Sequence, residues 1–334
     1  MLLAGGVVVA AVVTSGWSTA ALTIPAAATT ASSKPSPGCK TRPAVAPGDS
    51  QVGLDADGVD GFYLRHVPPS YRAGRALPLV VDLHGYAESA PVEAQMTQLG
   101  RYGDTHGFVT LTPQGQGPVP LWNTTLGSGD LRFIGSLLDE AERTLCINEQ
   151  RVYVTGLSDG AFMTSAVACA YAKRVAAVAP VAGIQDTSGC RPARPVPVVT
   201  FHGTADPFVA FNGGLGPKAL ALPAPDGSPR TLGQLGAAAS TTPGPSIPQI
   251  IAVWAKRNGC AAKPESTAVA SDVTHIHYRC PDHADVDFYR VAGGGHAWPG
   301  STLSRAIASV IGPTTFSISA DTILWRFFQA HPLH

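Results

Sequence analysis

The stretch "RVYVTGLSDGAFMTSAVACAYA", residues 151 to 172, joins three kinds of local sequence in a fixed order. An apolar, β-branched run comes first, then a turn with Ser158 between Gly156 and Gly160, then a segment of small residues compatible with a tightly packed helix. A G-x-S-x-G pattern alone carries little weight in a chain with this much glycine. Strand, sharp turn and helix together are what a nucleophile elbow requires: the serine sits in a strained turn, and the glycines leave room for the backbone that crosses it. The competing reading is an ordinary strand-to-helix turn with a capping serine, and the rest of the chain has to decide between them.

A serine hydroxyl is a poor nucleophile until a base takes its proton, so a histidine and an acid must be available. In folds built around such an elbow the chain order is serine, acid, histidine, with the partners on loops after later strands. "FHGTADPFV" (201 to 209) places Asp206 directly after an apolar strand, and "VAGGGHAWPG" (291 to 300) places His296 in a glycine-rich loop after another. His202 is expected to shape the acid loop from the strand end. Asp285 and Asp287 alternate along a strand and are expected to face solvent. His275, His277 and His283 invite a metal-cluster reading, but no carboxylate or thiolate arrangement around them supports it, so no metal and no cofactor are expected. The oxyanion of an acyl-transfer intermediate needs amide donors, one after the nucleophile and one from the loop after an early strand. "LHGYAES" (83 to 89) is that loop, which makes the amides of Tyr86 and Asp159 the expected donors.

With 334 residues, 45% hydrophobic and 14% charged, the chain can bury a sizeable core. Lys plus Arg (23) equals Asp plus Glu (23), and no basic stripe with interleaved aromatics appears, so a nucleic-acid partner is not expected. Residues 1–30 have a short apolar run followed by small residues, as an export signal has, although no Lys or Arg precedes the run. The run falls short of the roughly 20 residues of a membrane span, so no stable membrane insertion is expected. Six cysteines suit an oxidising compartment. Cys260 and Cys280 flank a polar, Pro-containing segment as a loop-closing pair. Fifteen connectivities are formally open, and the remaining pairs are taken as Cys169–Cys190 and Cys39–Cys146.

Apolar β-branched runs at 61–67, 77–85, 107–113, 151–156, 175–183, 196–203 and 284–291 alternate with helix-compatible segments such as 130–145 and 246–260, the latter with Ser246 as cap and Gly259 as stop. The alternation predicts an α/β fold with a mostly parallel central sheet and helices on both faces. Residues 31–50 read as a flexible lead-in to a domain over 51–334. Residues 212–245 read as a Gly/Pro-rich surface excursion with little structure of its own.

Five motifs in order, "RVYVTGLSDGAFM", "APVAG", "FHGTADPFVAFNGG", "WAKRNGC" and "VAGGGHAWPG", resemble those of the secreted polyhydroxybutyrate depolymerase-type esterases, relatives of the feruloyl and acetyl xylan esterases in the α/β-hydrolase superfamily. The resemblance implies Ser158 as nucleophile, Asp206 as acid and His296 as base, and puts Trp122, Asn123 and Trp298 near the acyl pocket. It implies a secreted serine esterase that works through an acyl-enzyme on small or oligomeric esters. The sequence departs from the family in the insertion after Asn212 and in "HGYAES", where a more glycine-rich loop is expected. With the domain filling the chain from residue 51, binding is expected from the cleft alone, without a separate adsorption module. A catalytically silent binding protein on the same scaffold is the alternative reading, but no member of the triad and neither elbow glycine is lost.

Overall fold

Ten strands hydrogen-bond into one sheet in the computed structural model, which describes residues 33–40, 45–56, 58–236 and 244–334. The expected export signal at 1–30 lies outside the described residues. The strands are β1 (Gly48–Ala56), β2 (Val59–Val67), β3 (Leu77–Leu83), β4 (Val109–Pro113), β5 (Ile147–Leu157), β6 (Ala177–Val181), β7 (Val198–Gly203), β8 (Glu265–Ala270), β9 (Val273–Tyr278) and β10 (Val286–Val291). The helices are α1 (Ala90–Thr97), α2 (Leu99–His106), α3 (Gly129–Thr144), α4 (Asp159–Ala170), α5 (Ile247–Arg257), α6 (Thr302–Ala306), α7 (Ala308–Ile311) and α8 (Ala320–Ala330).

The spatial order β1-β2-β4-β3-β5-β6-β7-β10-β9-β8 is parallel from β4 to β10 and antiparallel at both ends. Parallel strands are covered on both faces and therefore read as nearly continuous apolar runs, as "LPLVVDL" of β3 and "VVTFHG" of β7 do. Leu79, Val81 and Leu83 of β3 join Leu137 of α3, Met163 of α4 and Ile251 of α5 in one core layer. Val80, between them in sequence, points the other way and joins Leu99 of α2 with Trp325 and Phe328 of α8. The expectation of an α/β-hydrolase fold with helices on both faces holds. So do the helix limits: α5 opens on Ser246, whose hydroxyl accepts from the Gln249 amide in a capping box.

The lead-in is less free than expected. Pro35 bridges Asn148, Ser36 is buried with its hydroxyl donating to the Leu145 carbonyl, and Cys39 is bonded to Cys146. The other two disulfides are Cys169–Cys190 and Cys260–Cys280, so all six cysteines pair as expected. The excursion after Asn212 is also structured where it is described: Val209 bridges Leu215, Pro223 bridges Thr231, and Ala219 and Ala224 are buried. Among the described residues no helix is long and apolar enough to cross a membrane.

A layer of buried acids lies beneath β3. Asp82 is fully buried, accepts a hydrogen bond from the Thr97 hydroxyl at 2.7 Å and lies against the Glu93 carboxyl. It borders a cavity of about 550 Å³. Burial pushes the Asp82 carboxyl up to about 7, and burial together with the neighbouring Asp82 pushes Glu93 well above its ordinary value. The folded chain therefore keeps protons that the unfolded chain gives up as pH climbs from 3.8 to about 7. Stability from this layer is fully present below that window and falls as pH rises through it. Unfolding by denaturant is expected to give greater stability near pH 5 than near pH 8, and Asp82→Asn is expected to flatten the dependence. An unchanged slope in the Asn variant would show that Asp82 is not the group responsible.

Candidate active site

Parallel pairing of β5, β6, β7 and β10 brings their carboxyl ends to one edge of the sheet, and the three candidate catalytic residues follow β5, β7 and β10. Ser158 stands between β5 and α4 with φ 59° and ψ −117°, outside the conformations a side chain readily adopts. Its amide donates to the Val181 carbonyl at 2.9 Å, and its own carbonyl accepts from the amides of Ala161 and Phe162. These bonds hold the strain in place. The turn closes because two residues lack side chains: a Cβ on Gly160 would lie 1.9 Å from the Leu83 carbonyl oxygen, and one on Gly156 would lie 2.6 Å from the same atom. The hydroxyl of Ser158 does not cap α4, which removes the capping-serine reading.

Asp206 follows β7 directly. One carboxylate oxygen accepts from the amides of Phe208 (2.8 Å) and Val209 (2.9 Å), and the other accepts from His296 Nδ1 at 2.8 Å. Burial acts to raise the carboxyl, but the His296 and His202 imidazoles and the Phe208 amide outweigh it and hold Asp206 below its ordinary value. With its proton on Nδ1, the neutral His296 ring presents Nε2 as an acceptor. His202 is buried, donates to the Val209 carbonyl at 2.9 Å and lies 3.4 Å from Asp206, so it braces the acid loop as expected.

The loop after β3 forms a turn in which the Glu88 amide donates to the Gly85 carbonyl and Ala87 takes φ 58°. The Ala87 amide is taken by the Pro120 carbonyl. The amides of Tyr86 and Asp159, the expected oxyanion donors, have no acceptor among the described residues. Three residues of this region had no assigned role in the sequence. Glu88 is half-buried and its carboxylate accepts from the Gly85 amide at 3.0 Å; burial raises its pKa, opposed by that bond and by the charge of His296. His84 is buried and held down to about 4 by burial. Its Nδ1 donates to the Gly85 carbonyl while Nε2 accepts from the Gly115 amide, which fixes the strand end. Phe208 is half-buried with its ring 5.0 Å from that of His296. Only Phe208 had a sequence signal, its place two residues after the acid.

The pocket aromatics need correction. Trp298 is 1% exposed, packs in the α8-side core and donates its indole N–H to Asp321 at 2.8 Å. Trp122 is 3% exposed; its indole N–H donates to the His84 carbonyl and its amide to Asp159 at 2.7 Å. Both rings are packed beneath the edge, where they brace loops instead of walling a cleft. Asn123 is exposed, but its side chain is turned back to the Thr125 amide. Asp287 and Asp285 do not simply face solvent either. Asp287 accepts from His275 and His277, and Asp285 accepts from the Cys280 amide, because β9 and the following turn close over this end of β10.

A mostly parallel sheet with a strained serine elbow and an Asp–His pair at its carboxyl edge is the architecture of the α/β-hydrolase fold. Residues 62–212 match the family described as Esterase PHB depolymerase, and the resemblance drawn from the motifs is borne out. Feruloyl esterase B of Piromyces equi is 28% identical over 240 residues, 69% of this chain and 41% of that protein. Poly(3-hydroxyalkanoate) depolymerase C of Paucimonas lemoignei is 36% identical over 128 residues, 36% of this chain and 30% of that one. The chain thus spans less than half the length of either curated relative. The acetyl xylan esterase from Aspergillus awamori superposes with a TM-score of 0.55 at 14% identity, covering 84% of this chain and 99% of that one, which shows the shared fold.

Proposed function

We propose that the protein is a secreted serine hydrolase of carboxylic esters. The observation that carries the reading is the Asp206–His296 hydrogen bond, which keeps the imidazole proton on Nδ1 and leaves Nε2 as a base at the sheet edge where Ser158 is held. In this mechanism His296 takes the Ser158 hydroxyl proton as the oxygen adds to the ester carbonyl. The amides of Tyr86 and Asp159 bind the developing oxyanion, and His296 returns the proton to the leaving alcohol. Water, activated by the same imidazole, then releases the acid from the acyl-enzyme. Three disulfides suit an extracellular setting.

For substrates, the names of the relatives suggest feruloyl-type esters, acetylated sugars or hydroxyalkanoate oligomers. With Trp122 and Trp298 packed away, Phe208 beside His296 and Tyr86 on the oxyanion loop, whose hydroxyl donates to the Pro223 carbonyl of the excursion, are the rings we assign to receive an acyl or alcohol group. A panel of p-nitrophenyl acyl esters, methyl ferulate, acetylated xylan and 3-hydroxybutyrate oligomers tests the reading. Turnover of one or more is expected. No turnover of any ester by the folded protein would overturn it.

A further inference from the structure

Away from the sheet edge that carries Ser158, two histidines and a carboxylate converge on one face of the antiparallel end of the sheet. His275 and His277 are two residues apart on β9 and so point to the same side. Asp287 lies directly across from His277 on β10, and Tyr289 directly across from His275. His275 Nε2 is 2.9 Å and His277 Nδ1 is 2.6 Å from the same oxygen of Asp287, and the three ligand atoms all lie within 4.8 Å of one another. The side chains retain 15–25% exposure, enough for an ion to enter and for water to complete its shell.

We propose that His275, His277 and Asp287 form a binding site for a borderline transition-metal cation, Zn²⁺ above all, that clips β9 to β10. Two imidazole nitrogens and one carboxylate oxygen are the donor set such ions select, with a fourth position for water. Bonds of about 2.0–2.1 Å in tetrahedral geometry separate donor atoms by roughly 3.3 Å. The present nitrogen–oxygen distances need to open by only about half an ångström, within reach of side-chain torsions. On binding, each imidazole gives up the proton it shares with Asp287, and the ring's other nitrogen carries one in its place. The Tyr289 ring, stacked on His275 at 4.5 Å and 9°, holds that imidazole in plane. The proposal is independent of the esterase reading: β9 and the first residues of β10 contribute nothing to the triad, and the metal's role here is to fasten β9 to β10.

The test is calorimetric and thermal titration of the untagged, EDTA-dialysed full chain with ZnCl₂, with Co²⁺ as a spectroscopic stand-in. One equivalent of Zn²⁺ is expected to bind, to raise the melting temperature progressively with concentration, and to displace a Co²⁺ species with a tetrahedral visible spectrum. His277→Ala and Asp287→Asn are each expected to weaken binding by more than about tenfold. His283→Ala, on the separate His283–His334 pair, should leave it unchanged. The wild-type Co²⁺ spectrum keeps the test decisive even if a variant folds poorly. Absence of a Zn²⁺-dependent heat and melting shift, or binding that survives both ligand substitutions, would overturn the assignment, as would binding lost in His283→Ala.

Discussion

Replacing Ser158 by alanine is expected to lower ester turnover by on the order of 10⁶, the loss seen when the nucleophile of such a unit is removed, while the melting temperature stays within a degree or two. The two halves of this expectation rest on different observations. The hydroxyl is the group that bonds to the acyl carbon, so without it no acyl-enzyme forms and only positioning and the oxyanion donors remain. The backbone strain at φ 59° is the same for alanine as for serine, and the hydroxyl neither caps α4 nor fills a hydrogen-bond requirement of the core. A fluorophosphonate probe followed by peptide mass analysis should label Ser158 in the wild type and nothing in the variant. Retained turnover in the alanine protein, or labelling at another serine, would dismiss Ser158 as nucleophile.

The parts of this molecule legible from its sequence are those where one local rule acts without competition. Strands β3, β5, β6 and β7 are buried on both faces, so they appear as apolar runs; the elbow needs Gly156 and Gly160 because the Leu83 carbonyl passes within contact of both. The chain order of Asp206 and His296 follows from the strand order. Strands β1, β8 and β9 were not among the predicted runs: "ESTAVA" is an edge strand that is largely exposed, "GDSQVGLDA" starts polar and alternates only over its last residues, and "VTHIHY" is half-buried and broken up by histidines, so none carries a long apolar run. The burial of Trp122 and Trp298 depends on partners at long range, Asp159, the His84 carbonyl and Asp321, that no window of sequence contains. The same holds for Asp287, whose alternation along β10 suggested solvent until β9 folded its histidines across it, and for Pro35 to Cys39, whose polar composition hid a β-bridge and a disulfide. Glu88 and His84 act through backbone groups of their own turn, a role that residue type alone does not announce.

Asp206→Asn is expected to cost about 10⁴ in kcat, the size of loss found when the acid of a serine triad is made an amide, and the reason can be followed atom by atom. The carboxylate now accepts three N–H groups: Phe208 and Val209 on one oxygen and His296 Nδ1 on the other. An asparagine has one acceptor and one donor end. If its oxygen keeps the two backbone amides, its NH₂ faces His296, and Nδ1 must become the acceptor. The ring proton then moves to Nε2, the atom needed as a base, and the imidazole is held in the tautomer that cannot take the serine proton. If the amide is turned the other way, its NH₂ meets two backbone N–H groups head on and the loop after β7 has to open. The first arrangement retains more hydrogen bonds and should dominate, so the variant should fold, label slowly with fluorophosphonate and turn over esters feebly. Its stability should also depend less on pH at the acid end. A carboxyl held below its ordinary value contributes stability that is present above the unfolded-state value and lost as pH falls through the folded one, and the amide has no such ionisation. Comparing kcat and the denaturation midpoint of the two proteins from about pH 3 to pH 8 tests both claims. Near-normal turnover in the asparagine variant would mean that Asp206 does not set the tautomer of His296, and the acid would then have to be sought elsewhere, with Glu88 the first candidate because its charge already acts on His296.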